Sequence, residues 1–255
     1  MGTKIKAIIL AGGRGSRLDK YTLDKPKCML NFNFKPLIEW QVELLRKCRI
    51  NDITIVKGYM SDKIQIPNTK TYIIEDFKNT NMVEGLFVAE QELKGDILVC
   101  YADIIYEKRV LEKILGSKVD IGVNVDSDYK DYWSARFDDP KTDIESLVID
   151  NQGKITEIGE TNCSLDKAKF RYVGLIKFSE KGTEILVDTY HKNRDYFKKA
   201  YMTDMLQMMI NNGCKIDPIV IKRGWLEFDT NEDYDKYNQW LKSGSLGRYF
   251  RINKC

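Results

Sequence analysis

The chain holds almost no histidine. Its single imidazole, His191, falls on a polar helical stretch and is assigned no task. A Ser-His-Asp triad and a histidine-based metal site are therefore excluded. Cysteine is present but unpatterned: the six, at 28, 48, 100, 163, 214 and 255, include no Cys-x-x-Cys pair. Reduced thiols in a cytoplasmic protein are the simplest reading, with Cys48 and Cys100, on apolar patterns, as small core residues. Neither sign of charge dominates. The 41 basic and 38 acidic residues are well mixed and leave a net +3. That argues against a nucleic-acid partner, which would need a basic face. No apolar run approaches the length that crosses a membrane, and residues 1–4 lead into the first apolar stretch without a signal-peptide segment. Linkers and low-complexity stretches are also missing.

What is present suits a globular chain with a sizeable core: 255 residues, 43% hydrophobic and 31% charged. Residues 7–10, 53–56, 71–74 and 97–101 read as strands, and 36–49 and 82–93 as helices. This alternation predicts an α/β fold with a mainly parallel sheet covered on both faces. The second half changes rhythm. Short strands are expected at 121–125, 147–150, 155–158 and 172–178, with a hairpin turn at 151–154. Helices are expected at 181–195 and 200–211, strands at 216–221 and 225–228, and a last helix from Asn231. The expectation is one domain over residues 1–242, in two halves of about 1–118 and 119–242, and a loosely held tail at 243–255.

The most informative segment follows the first strand: Leu10-Ala11-Gly12-Gly13-Arg14-Gly15-Ser16-Arg17-Leu18, then Pro26-Lys27. Glycines after a buried strand let backbone N–H groups approach a ligand's oxygens, and Arg17 and Lys27 add fixed positive charge. The combination suits a polyphosphate. A P-loop is excluded, because Gly15-Ser16-Arg17 does not supply Gly-Lys-Ser/Thr. A dinucleotide fingerprint is excluded too, since Leu18 stands where a third small residue is needed. Asp103 follows the fourth strand, where ligands of open α/β sheets bind, and Asp229 follows the strand at 225–228. A carboxylate beside a polyphosphate calls for an intervening cation, and Mg²⁺ is the natural one. Read alone, either aspartate is equally a helix cap.

Together these segments resemble the nucleotidyltransferases with a GT-A-like fold, a Rossmann-like three-layer sandwich on a mainly parallel mixed sheet. The resemblance runs to about Tyr237 and implies that Asp103 and Asp229 hold a catalytic Mg²⁺. It also implies that the first half binds nucleotide and the second half the acceptor. Asn79-Thr80-Asn81-Met82-Val83, Tyr132-Trp133-x-x-Arg136, Glu145-Ser146-Leu147, Tyr172-Val173-Gly174 and Trp225-x-Glu227-x-Asp229 bring it closer to one branch. That branch comprises the cytidylyltransferases that activate phosphocholine, aminoethylphosphonate or phosphoglutamine. The resemblance implies CMP transfer from CTP to a small phosphate or phosphonate, releasing pyrophosphate. Arg17, Lys27, Asp103 and Asp229 are the expected catalytic residues. Residues 10–16 (Leu10, Ala11, Gly12, Gly13, Arg14, Gly15, Ser16), Asn81 and Ala102 are expected at the nucleotide, though Asn81 reads equally as an N-cap. Trp133, Arg136, Glu145, Tyr172, Trp225 and Glu227 are expected at the acceptor, with Arg136 pairing a phosphate and an aromatic ring facing an ammonium group. Aromatics in strand-like segments also compose cores.

Two alternatives stay open. A sugar-1-phosphate nucleotidylyltransferase would commonly carry Glu-Lys-Pro where this chain has Glu157-Ile158-Gly159. A GT-A glycosyltransferase would carry Asp-x-Asp at the metal, where this chain has Asp103-Ile104-Ile105. The oligomeric state is left open, a homodimer included.

Overall fold

The computed structural model describes residues 5–139 and 143–252. In chain order its first half comprises β1 (Lys6–Ala11), β2 (Asn31–Phe32), β3 (Lys35–Pro36), α1 (Leu37–Lys47), β4 (Ile53–Lys57), β5 (Lys70–Ile73), α2 (Met82–Val88), β6 (Ile97–Tyr101), β7 (Ile104–Tyr106) and α3 (Lys108–Leu115). There follow β8 (Ile121–Asp126), α4 (Lys130–Arg136), β9 (Glu145–Ile149), β10 (Ile155–Thr161), β11 (Arg171–Phe178), α5 (Glu180–Lys192), α6 (Arg194–Phe197), α7 (Met202–Asn211), β12 (Asp217–Ile221), β13 (Trp225–Glu227) and α8 (Asn231–Ser243).

Seven strands form the central sheet in the order β12-β8-β11-β6-β1-β4-β5. All neighbours run parallel except β11, which is antiparallel to β6 and β8. Successive side chains of a strand face opposite sides, and the core divides accordingly. Ile9, Cys100 and Leu175 pack with α1 and α3, while Ile8, Val99 and Ile176 pack with α2, α5 and α7. This is the expected three-layer α/β fold, with apolar residues on both faces of each inner strand because helices cover both.

The register places the site. Leu10 lies opposite Tyr101 on β6 and Val56 on β4, so the glycine loop and Asp103 leave the sheet at the same edge. Antiparallel pairing of β13 with β7 then carries the C-terminal half back to that edge. The Phe228 N–H donates to the Asp103 carbonyl at 2.9 Å, which brings two aspartates 126 positions apart to one place.

Three expectations are corrected. The second helix stops at Val88, because Ala89 leaves helical geometry and Glu92 turns inward to Lys70 (2.8 Å) and Tyr72 (3.0 Å). The segment 130–136 is a helix, so Tyr132, Trp133 and Arg136 share one helical face rather than alternating across a sheet. The described part of the expected tail is not loosely held. Leu246, Tyr249 and Phe250 are buried in the core, and Gly224 N–H donates to the Tyr249 carbonyl at 2.9 Å; residues 253–255, Cys255 among them, lie outside the described residues. Phe250→Ala is accordingly expected to cost about 3–5 kcal/mol, the usual range for emptying a buried aromatic site. Denaturant unfolding checks this, and an unchanged midpoint would show the segment to be dispensable.

Candidate active site

The loop after β1 is shaped by Gly15. Its φ of +73° lies in the left-handed region that favours glycine, and it opens a short 3₁₀ turn over Ser16–Tyr21. A Cβ there would stand 3.0 Å from the Lys27 side chain, so the glycine lets the lysine stem lie against the loop. Gly13 has open space where a Cβ would point. Beyond the loop lies a cavity of about 360 Å³, within the range of small-molecule sites. Leu10, Ala11, Gly12, Gly13, Gly15, Ser16, Asn81 and Ala102 line it. Arg14 does not line it; its guanidinium lies over the Tyr59 ring at 5.5 Å. Asn81 lines the cavity but also caps α2: Oδ1 accepts the Met82 N–H at 2.9 Å and Nδ2 donates to the Lys199 carbonyl at 3.2 Å. One amide hydrogen and one lone pair remain for a base.

Arg17, Lys27, Asp103 and Asp229 meet at the cavity wall. Lys27 Nζ stands 2.7 Å from Asp103 Oδ2 and 3.0 Å from Asp229 Oδ1, and Arg17 stands 2.7 Å from Asp229 Oδ2. Burial pulls the Lys27 ammonium down, but the two carboxylates outweigh it and hold its pKa above the usual lysine value. Burial pushes the Asp229 carboxyl up, and Lys27 and Arg17 more than offset this, leaving it below its ordinary value. Asp103 Oδ1 is buried and has no hydrogen-bond partner. An orphaned carboxylate oxygen beside a second carboxylate fits a hard cation. Among the described residues no group of three or more His, Cys, Asp and Glu could hold a metal alone. Such a pair is the donor set expected for Mg²⁺ completed by phosphate oxygens and water.

The residues expected at the acceptor divide. Arg136 is withdrawn into the interior, where Nε and one terminal nitrogen pair bidentately with Asp233 at 2.8 Å and the other meets Glu227 at 2.8 Å. It has no free face for a substrate phosphate. Trp133 and Trp225 are each 1% exposed. Trp133 is stacked between Arg136 and Arg171, both 4.3 Å from its ring, and Trp225 donates to Asp126 at 2.9 Å. Both are core residues, because helix α4 turns its aromatic face onto β13. Glu145, Tyr172 and Glu227 keep partial exposure. Burial pushes Glu227 up to about 7, although Arg136 and Arg171 pull it down. Burial likewise raises Glu145, against Arg171, and the Tyr172 ring packs edge-on against Tyr101 at 5.6 Å.

Sequence reading passed over Asp233 and Arg171. Thr230-x-x-Asp233 carries the pattern of a capping box, which signals a helix start. Arg171 follows no local pattern; what buries it is Asp143, 28 residues away.

Comparison with known proteins extends the assignment. Residues 7–128 match the MobA-like NTP transferase domain. Over 250 residues the chain is 34% identical to the CTP:phosphoglutamine cytidylyltransferase of Campylobacter jejuni, covering 91% of this chain and 98% of that protein. It is 33% identical over 204 residues to a bifunctional sugar-1-phosphate nucleotidylyltransferase/acetyltransferase of Sulfurisphaera tokodaii, covering 72% of this chain and 46% of that longer protein. Its fold superimposes with a TM-score of 0.75 on a CTP:phosphocholine cytidylyltransferase from Streptococcus pneumoniae, at 23% identity over 93% of this chain and 99% of that one. A glycine loop and paired carboxylates at one edge of such a sheet define a nucleotidyltransferase. Within that class the chain belongs to the cytidylyltransferase family of the Campylobacter protein.

Proposed function

We propose that this chain transfers CMP from CTP to a small, amino-bearing phosphate or phosphonate monoester, with Mg²⁺ as cofactor. The observation that carries the reading is the meeting of Arg17, Lys27, Asp103 and Asp229 within 3.0 Å contacts beside the glycine loop. End-to-end similarity to a CTP-dependent relative supports the nucleotide. A CTP-consuming reaction favours a cytoplasmic location. Among the described residues no helix is long and apolar enough to cross a membrane.

The acceptor oxygen is anionic near neutral pH and needs no general base. It attacks the α-phosphorus in line; the new P–O bond forms as the bond to the β-phosphate breaks, and pyrophosphate leaves. Catalysis then rests on positioning and charge neutralisation. The loop amides, Arg17 and Lys27 hold the triphosphate and stabilise the departing pyrophosphate. Asp103 and Asp229 would hold Mg²⁺, whose chemistry is to neutralise charge gathered between carboxylates and phosphates.

Withdrawal of Arg136 leaves the acceptor side with no free guanidinium and with the half-buried carboxyl groups of Glu145 and Glu227. That favours an acceptor with a cationic group, with Tyr172 as the ring beside it. A sugar 1-phosphate is the second reading, supported by the Sulfurisphaera relative. Pyrophosphate release should be measured with CTP, UTP, GTP and ATP against phosphoglutamine, 2-aminoethylphosphonate, phosphocholine and glucose 1-phosphate. CTP with an amino-bearing acceptor is expected to give the highest kcat/KM. If glucose 1-phosphate gives it, the acceptor assignment is wrong.

A further inference from the structure

Arg136 and Asp233 form an ion pair with no exposed side-chain surface on either partner. Both Asp233 oxygens are engaged by the guanidinium at 2.8 Å. Asp233 Oδ2 also accepts the backbone N–H of Asp229 at 3.2 Å and that of Thr230 at 3.0 Å. Arg136 reaches Glu227 Oε2 at 2.8 Å, and Tyr132, one helical turn earlier, accepts the Glu227 N–H at 3.1 Å. Helix α4 thus grips the chain at 227 directly and at 229 and 230 through Asp233, the stretch that presents the Asp229 carboxylate.

We propose that Arg136 and Asp233 are positioning residues: their buried pair fixes the backbone of 227–230 so that Asp229 meets Lys27, Arg17 and Asp103 in one geometry. The proposal rests on the reading of Asp229 as a cation ligand. Helix capping does not account for the pair. Thr230 Oγ1 already accepts the Asp233 N–H at 3.1 Å, and the Asp233 carboxylate alone completes the box. Nor does stability, since apolar replacements for buried ion pairs are often as stable or more so. A rigid planar fork stacked on Trp133 at 4.3 Å and aimed at two carboxylates does suit orientation. Neither residue touches the reacting atoms; both act through Asp229 and Glu227.

The test compares Arg136→Lys, Asp233→Asn and Asp229→Asn with Leu246→Ala, a buried change outside the site. Calorimetry gives the Kd for Mn²⁺·CTP, circular dichroism the Tm, and steady-state assays kcat and KM. Arg136→Lys and Asp233→Asn are expected to weaken Mn²⁺·CTP about tenfold or more and to lower kcat similarly, the scale on which groups supporting metal ligands act. Leu246→Ala is expected to lower Tm while leaving that Kd unchanged. Should Asp233→Asn not fold, Arg136→Lys, which keeps the charge and loses the fork, carries the test. Parental Kd and kcat in folded Arg136→Lys, with Asp229→Asn impaired, would overturn the positioning role alone. Parental affinity in Asp229→Asn would overturn the site assignment beneath it, and the proposal with it.

Discussion

Asp103→Asn and Asp229→Asn should each lower turnover at least about a hundredfold while leaving the fold intact, the scale expected when preorganised electrostatic stabilisation is lost. The amide keeps the shape of the carboxylate and removes its charge. The fold tolerates this because neither side chain belongs to the apolar core, and Asp103 Oδ1 has no partner to lose. Both do lose ionic contacts, Asp103 Oδ2 at 2.7 Å to Lys27, and Asp229 at 2.7 Å to Arg17 and 3.0 Å to Lys27. Those cations are freed rather than stranded, since the triphosphate is their expected partner. The loss should therefore appear in kcat and in the Mg²⁺ concentration needed for half-maximal rate, with little change in Tm. Magnesium titrations of the rate, paired with thermal unfolding, separate the two effects. Near-normal turnover in either folded variant would remove that residue from the cation site.

The residues of this cluster were legible because each is announced by something local. The glycine run follows a four-residue apolar strand, Lys27 follows a proline, and each aspartate follows a strand end. A parallel sheet gathers the ends of β1 and β6 at one edge by construction, and the antiparallel pairing of β13 with β7 adds Asp229 to them. Arg136 was misread for the opposite reason. Nothing near it in the chain announces Asp233, 97 residues on, and a guanidinium's destination depends on which partner reaches it. Trp133 and Trp225 failed with it, because a local aromatic pattern does not say which way a short helix will turn or which face of a strand that helix will cover. The last described residues looked polar enough to be loose. Only the folded chain shows that Leu246, Tyr249 and Phe250 close the core beneath α8, with Arg251 N–H held by Glu107 at 2.9 Å. Strand positions, which follow from periodicity, were readable; partner choice among distant charges was not.

Lys27→Ala should lower kcat/KM for CTP by about a hundredfold, more than Arg17→Ala, expected at about tenfold. Burial distinguishes them. The Lys27 side chain is 12% exposed and meets both carboxylates, whereas Arg17 is 67% exposed and meets only Asp229, so solvent screens it more. The lysine's removal also leaves Asp103 and Asp229 facing one another without their shared cation. Asp229 is held below its ordinary carboxylate value in the folded state, so its contribution to stability is present above that value and is lost as pH falls through the folded one. Without Lys27 that depression shrinks, and the variant should lose Tm at neutral pH more than at a pH well below the ordinary carboxylate range, where Asp229 is protonated in both states. A divalent cation placed between the carboxylates would restore what the lysine supplied. Added Mg²⁺ should therefore raise the Tm of Lys27→Ala more than that of the parent. Equal Mg²⁺ responses, or an unchanged kcat/KM, would show that Lys27 does not share a site with the metal.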